Sequence, residues 1–336
     1  MKRLLVSALF LLITVFLILF NSRPRPEALR TYSIEPSEVL GPTGLTVQFL
    51  GNTNLVFSDG ETTFMTDGFF TRPPFYKMLW GKVKPNKKTV QKCLDRAGIS
   101  RLDAVIPVHS HYDHVLDAPL VADLTGATLI GSPSTLNVGR GYGLDEDRMT
   151  VVPLTHPVTL GRFEITFVHS RHWQYPDTRQ RELLLDQGIP NPLTPPASIY
   201  DYKEGVSYTL LIRHDSTNIA IQGSAGFKEY SIIDFDADVL FLAIAGIEVM
   251  DEAYNAAYQE HVVEAVSPET LIPVHWDDFT LPLSRGLKTT NAIFNMKFGS
   301  NLGKAFEILE TNNTSSRRRI TILPLWETIQ LKDLPP

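Results

Sequence analysis

His109-Ser110-His111-Tyr112-Asp113-His114 stands directly behind the apolar run Leu102–Val108 (LDAVIPV). On an extended or turning segment His109 and His111 point the same way and can grip one cation from one side. Asp113 and His114 then face a second position close by. Neutral imidazole and carboxylate are zinc ligands, and three protein ligands leave a coordination position for water. A solvated polar loop with clustered histidines is the bland alternative to this reading.

Outward from that motif, short β-like runs alternate with helical or loop stretches from Leu45 onward. Leu45–Leu50 and Leu55–Phe57 read as strands, with turn signals at Gly51 and Asp59-Gly60. Thr62–Thr66 ends at Asp67-Gly68, and Lys88–Ala97 reads as a helix. Further strands are expected at Ala127–Ile130, Phe163–Val168, Tyr208–Ile212, Asn218–Ile221, Val239–Ala245 and Thr270–Val274. Asn301–Glu310 looks helical and Thr321–Leu331 looks like closing strands. Residues 174–204 are Pro-rich and aperiodic, and connections of that length inside a domain are usually lids or binding loops. Gly139-Arg140-Gly141-Tyr142-Gly143 reads as a Gly-rich loop in which Arg140, with Tyr142, could bind an anionic group of a substrate. A merely flexible loop is the competing reading.

The N-terminus differs in kind from the rest. Leu4–Phe20 carries no charge behind a Lys2-Arg3 head. As a helix it would be about 26 Å long, slightly under the roughly 30 Å hydrocarbon core of a bilayer. Asn21-Ser22-Arg23-Pro24-Arg25-Pro26 offers no small-x-small cleavage site, which favours an uncleaved transmembrane signal anchor over a removed signal peptide. The expected organisation is therefore an anchor over 1–22, a tether over 23–44 and one domain over 45–332, held at a membrane with the domain on the exported side. The remaining composition is that of a globular chain: 336 residues, 43% hydrophobic and 20% charged. A single cysteine, Cys93, excludes a disulfide scaffold. Lys plus Arg number 31 against 37 Asp plus Glu, a balance that leaves no electrostatic footprint for nucleic acid.

The H-x-H-x-D-H motif behind a buried strand resembles the metallo-β-lactamase superfamily, within it the branch that includes N-acylphosphatidylethanolamine-hydrolysing phospholipase D. The resemblance extends from about Leu45 to Leu331. Gly51-Asn52-Thr53-Asn54 stands where that branch commonly has Gly-His, so Asn52 is a departure. Thr66-Asp67-Gly68 is similar to the family's T-D-P, which gives Asp67 the part of orienting a ligand histidine. The resemblance implies that the remaining ligands follow apolar strands. His172, rather than His169, is then the ligand of His169-Ser170-Arg171-His172-Trp173, and His275 that of His275-Trp276-Asp277. His156, His214 and His261 are left as structural residues. Ser224, in Gln222-Gly223-Ser224-Ala225-Gly226, stands where relatives carry an aspartate that bridges two metals.

What this implies is an α/β protein, an αββα sandwich of two face-to-face sheets with helices outside and an N-terminal transmembrane helix. His109, His111 and His172 would hold one zinc, and Asp113, His114 and His275 a second, giving one or two ions per chain. Asp113 is in addition the candidate catalytic residue, orienting a metal-bound water. The implied activity is zinc-dependent hydrolysis of a small-molecule or lipid substrate by metal-activated water. A phospholipid-type phosphodiester is the first candidate bond and a lactone or β-lactam the second. A non-catalytic metal-stabilised binding protein is the reading from a different class.

Overall fold

The computed structural model describes residues 2–22, 27–34, 44–185, 187–290, 302–313 and 318–334. The first sheet is built from β1 (Thr46–Phe49), β2 (Leu55–Ser58), β3 (Thr63–Thr66), β4 (Ala104–Ile106), β5 (Thr128–Gly131) and β6 (Met149–Val151). The second contains β7 (Val158–Leu160), β8 (Phe163–His169), β9 (Tyr208–His214), β10 (Thr217–Gln222), β11 (Val239–Ala243), β12 (Thr270–Val274) and β13 (Arg319–Ile320). The chain then returns to the first sheet, where β14 (Thr328–Gln330) pairs antiparallel with β1, Val47 opposite Ile329. Strand order is β14-β1-β2-β3-β4-β5-β6 in one sheet and β13-β12-β11-β10-β9-β8-β7 in the other.

The burial pattern explains the pairing. β4, β11 and β12 are buried at every position and run parallel to their neighbours, as strands covered on both faces do. β8 alternates buried and exposed residues along Phe163, Ile165 and Phe167, so only one of its faces meets the core. Between the sheets, Phe57 stacks on Phe64 at 5.3 Å and meets Phe241 edge-on at 5.5 Å, while Phe64 meets Phe163 edge-on at 5.1 Å. These rings join the two sheets, and losing one would cost about 3–5 kcal/mol. Helices Lys87–Arg96, Ala118–Thr125 and Pro133–Tyr142 cover the outer face of the first sheet through Val90, Leu94, Val121 and Leu136.

β3, β4, β8, β10 and β12 are followed by Asp67, His109, His172, Ser224 and His275 respectively, so one edge of the sandwich collects the motif residues. Loops beyond the carboxyl ends of such strands are where α/β sheets carry their sites.

Two expectations need correcting. Among the described residues no helix is long and apolar enough to cross a membrane. The helix expected over Leu4–Phe20 forms as Lys2–Asn21. Gly139–Gly143, expected as a loop, is helix through Tyr142, closed by Gly143 in the left-handed conformation. Its glycines serve close packing. A Cβ on Gly139 would lie 2.6 Å from Met149 Sδ, and one on Gly141 would lie 2.0 Å from the Leu193 carbonyl oxygen.

Of the segment read as a tether, residues 23–26 and 35–43 lie outside the described residues. The part between them is attached to the domain. Tyr32 stacks on Phe306 at 6.1 Å and hydrogen-bonds Glu310, and Ile34 N donates to Ile322 O at 3.3 Å.

Candidate metal centre

His109 leaves β4 and is buried, and His111 caps the short helix Tyr112–Val115 that carries Asp113 and His114. The loop before that helix is pinned by Ser110, whose N–H donates to Glu204 O at 2.8 Å and whose hydroxyl lies 2.9 Å from that of Thr135. Two groups of three ligand types result: His109, His111 and His172 (the first triad), and Asp113, His114 and His275 (the second triad). Within each, one ligand atom per residue lies within 4.8 Å of the others.

The ring nitrogens are sorted by their partners. His172 Nδ1 donates to Trp173 O at 2.7 Å, which leaves Nε2 to face His111 Nδ1 at 3.2 Å. His111 Nε2 meets Leu184 O at 3.3 Å, at the end of the helix Thr178–Leu184 within the 174–204 insertion. His114 Nδ1 is 2.8 Å from Asp67 Oδ2, which leaves His114 Nε2 facing His275 Nε2 at 3.3 Å. Asp113 Oδ2 is 3.3 Å from His275 Nε2 and 3.6 Å from His114 Nε2. Asp67 also accepts the amide of Val108 at 2.9 Å, so the orienting carboxylate is fixed to the segment that leads from β4 to His109. In His111, His114 and His172 the outer nitrogen is held by protein and the inner one points at the other residues of the groups, the arrangement that metal-binding histidines use.

Electrostatics favour lone pairs in the first triad. Burial, then the neighbouring imidazoles, hold His109 and His172 well below the ordinary histidine range; burial holds His111 down to about 4. In the second triad burial would raise Asp113, but His114 and His275 keep it below the usual carboxylate range. His114 is raised, burial being outweighed by Asp67 and Asp113. Both nitrogens of His109 and Nδ1 of His275 are buried without a hydrogen-bond partner, which a protein tolerates poorly unless something else uses them. Three neutral nitrogens in one group, and two nitrogens with a carboxylate in the other, are a donor set suited to zinc.

The remaining expected residues fall in different places. Ser224 is at this edge, its hydroxyl accepting the Trp173 amide at 2.9 Å and so holding the loop that carries His172. His169, passed over as a ligand, is an exposed strand end. His214 instead pairs with Asp59 at 3.0 Å. Arg140 and Tyr142 are not brought to the triads. The Arg140 guanidinium is held by both oxygens of Glu146 at 2.6 and 2.9 Å, and the Tyr142 hydroxyl by Asp123 at 3.2 Å.

Two rim residues were not singled out from the sequence. Tyr175, from the insertion, stacks on His172 at 5.5 Å, and burial, then Asp113, pushes its hydroxyl far up, so it stays protonated. Phe279 packs at 6.0 Å from His275 and 6.3 Å from Tyr112. An aromatic three positions beyond His172 and another four beyond His275 were the only available hints.

Residues 66–185 match the beta-lactamase superfamily domain. A UPF0173 metal-dependent hydrolase of Heliobacterium modesticaldum is 33% identical over 88 residues, 26% of this chain and 30% of that protein. Another UPF0173 metal-dependent hydrolase, from Roseiflexus castenholzii, is 25% identical over 187 residues, 55% of this chain and 67% of its own length. The match thus spans under a third of the first relative and about two thirds of the second. Among solved structures, the metallo-beta-lactamase fold protein YhfI from Bacillus subtilis superposes with a TM-score of 0.51 at 14% identity, covering 85% of this chain and 98% of that one. At that identity the likeness speaks for the fold: two sheets arranged as in metallo-β-lactamases.

Proposed function

We propose that this chain is a metal-dependent hydrolase of the metallo-β-lactamase superfamily that acts on a small molecule; its two-sheet fold and the domain match over residues 66–185 support the reading. The observation that carries the reading is the pair of triads at one sheet edge, with buried imidazole nitrogens that no protein group uses. His109, His111 and His172 would hold one zinc, and Asp113, His114 and His275 a second. Bound there, zinc would lower the pKa of a coordinated water and polarise the scissile oxygen. Asp113, ionised at neutral pH, accepts a hydrogen bond from the attacking water and so orients it. Tyr175, protonated beside His172, offers a hydrogen bond to an oxygen of the substrate.

The resemblance to the phospholipase D-like branch supports a lipid-type phosphodiester as substrate. Ser224 supports the second reading, a lactone or other acyl ring, because the carboxylate expected between two metals is replaced by a hydroxyl that Trp173 N–H already engages. The Tyr112, Tyr175 and Phe279 rim suits an apolar body in either case. Metal-loaded protein assayed on phosphodiester and lactone panels separates the two, and absence of turnover on both would favour the non-catalytic binding protein.

Ser224→Asp should keep the bond to Trp173 N–H and add a carboxylate oxygen between the triads. Calorimetric zinc titration should then show the weaker of two binding steps tightened about tenfold or more, since carboxylate binds zinc well and a neutral hydroxyl poorly. An unchanged titration would mean Ser224 does not stand between the metals.

Attachment of the chain to a membrane, with the domain on the exported side, belongs to the same proposal. Exposed Phe10, Leu12 and Ile18 on the N-terminal helix support it, at 71%, 68% and 62% exposure. The full chain should pellet with membranes, and a chain lacking residues 1–22 should stay in the supernatant with unchanged turnover. Equal partition of the two would remove the helix from any role in attachment.

A further inference from the structure

The turn between β1 and β2, Gly51-Asn52-Thr53-Asn54, touches every member of the second triad. Asn52 Nδ2 donates to the backbone oxygen of Asp113 at 2.6 Å, and Asn52 O accepts the backbone N–H of His275 at 2.9 Å. Its own N–H donates to Asp277 Oδ1 at 2.7 Å, two residues beyond His275. Thr53 Oγ1 donates to Asp67 Oδ2 and lies 3.1 Å from His114 Nδ1, so it braces the carboxylate that orients His114. Asn54 fixes the loop after Asp67, accepting from Gly68 N and Phe69 N at 2.8 Å each and donating to Phe69 O at 2.8 Å. Among the described residues, none of the turn's hydrogen bonds runs to His109, His111 or His172.

We infer that this turn is the positioning element of the second triad, and that Asn52 is its central positioning residue. The inference rests on the two-triad reading above and deepens it. With Ser224 in place of a bridging carboxylate, the second group has no charged link to the first. Its geometry must then be imposed from behind, by backbone and side-chain bonds to residues 61 and 225 positions away in sequence. Asn52 suits the place chemically. It sits at φ +56°, a left-handed conformation that asparagine tolerates better than most residues, and it has both the donor and the backbone groups that the three contacts need. Its side chain is wholly buried, so the bond to Asp113 O does not compete with water.

The test is calorimetric titration of the metal-free full chain with zinc alone. Asn52→Gly keeps the backbone conformation and both backbone contacts and removes only the carboxamide. It should weaken one binding step about 10- to 100-fold, the usual effect of losing a group behind a metal ligand, and leave the other within about twofold. Thr53→Val, nearly the same shape without the hydroxyl, should weaken the same step, and it decides the matter if Asn52→Gly fails to fold. A role in general stability would shift both steps together. That outcome, or two unchanged steps in a folded variant, overturns the inference while leaving the two-triad reading intact. A single binding step in the unmodified protein overturns the two-triad reading and the inference with it.

Discussion

His111→Ala and His109→Ala should each purify without first-triad metal and turn substrate over at background. His109 offers two buried nitrogens that no protein group uses, and His111 Nδ1 stands 3.2 Å from His172 Nε2. Removing either leaves two neutral donors, too few for a closed zinc site. The metal supplies several kcal/mol of transition-state stabilisation, and at about 1.4 kcal/mol per tenfold the loss is on the order of 10³-fold or more. Elemental analysis of the purified variants, with turnover measured in parallel, is the check. Metal content unchanged in both would dissolve the first triad as a site.

Asp277→Ala should be the most destabilising single change near the site. Arg72 Nη1 lies 2.5 Å from Asp277 Oδ2, with side-chain exposures of 1% and 0%. Asp277 also accepts the Asn52 amide, while Arg72 Nε and Nη2 have no partner. Removing the carboxylate therefore strands a buried guanidinium, a change that costs about 3–5 kcal/mol from a total of roughly 5–15 kcal/mol. Tm should fall by roughly 10 °C. Arg72→Met combined with Asp277→Leu should recover part of the loss, because an apolar pair leaves no charge unpaired. Thermal melting of the metal-free proteins decides it, and a fall under about 2 °C for Asp277→Ala would mean the pair is not buried in solution.

The residues that gather in the two triads could be read from sequence because the H-x-H-x-D-H motif and His275 each follow a run with a single environment. Leu102–Val108 and Thr270–Val274 are apolar at nearly every position, so the chain has to leave the core where the histidine stands. Asp67 was reachable for the same reason, at the end of β3. Gly139–Gly143 was misread as a loop because its glycines answer to Met149 and Leu193, which no local pattern reveals. The bracing of Asp113 and His275 by Asn52 was equally hidden. A four-residue turn carries no periodicity, and its contacts close only when strands far apart in sequence come to one edge.

The bond between His111 Nε2 and the carbonyl of Leu184 makes the insertion and the first triad one thermodynamic unit. That carbonyl selects the tautomer whose Nδ1 faces inward, so a cation held by the first triad favours the insertion in place. By reciprocity, any movement that carries Leu184 away weakens the grip on the cation by the same factor. Each admission of a substrate large enough to displace the insertion therefore draws on metal affinity, and slow loss of activity during turnover, faster with bulkier substrates and reversed by added zinc, is the signature such a chain would leave.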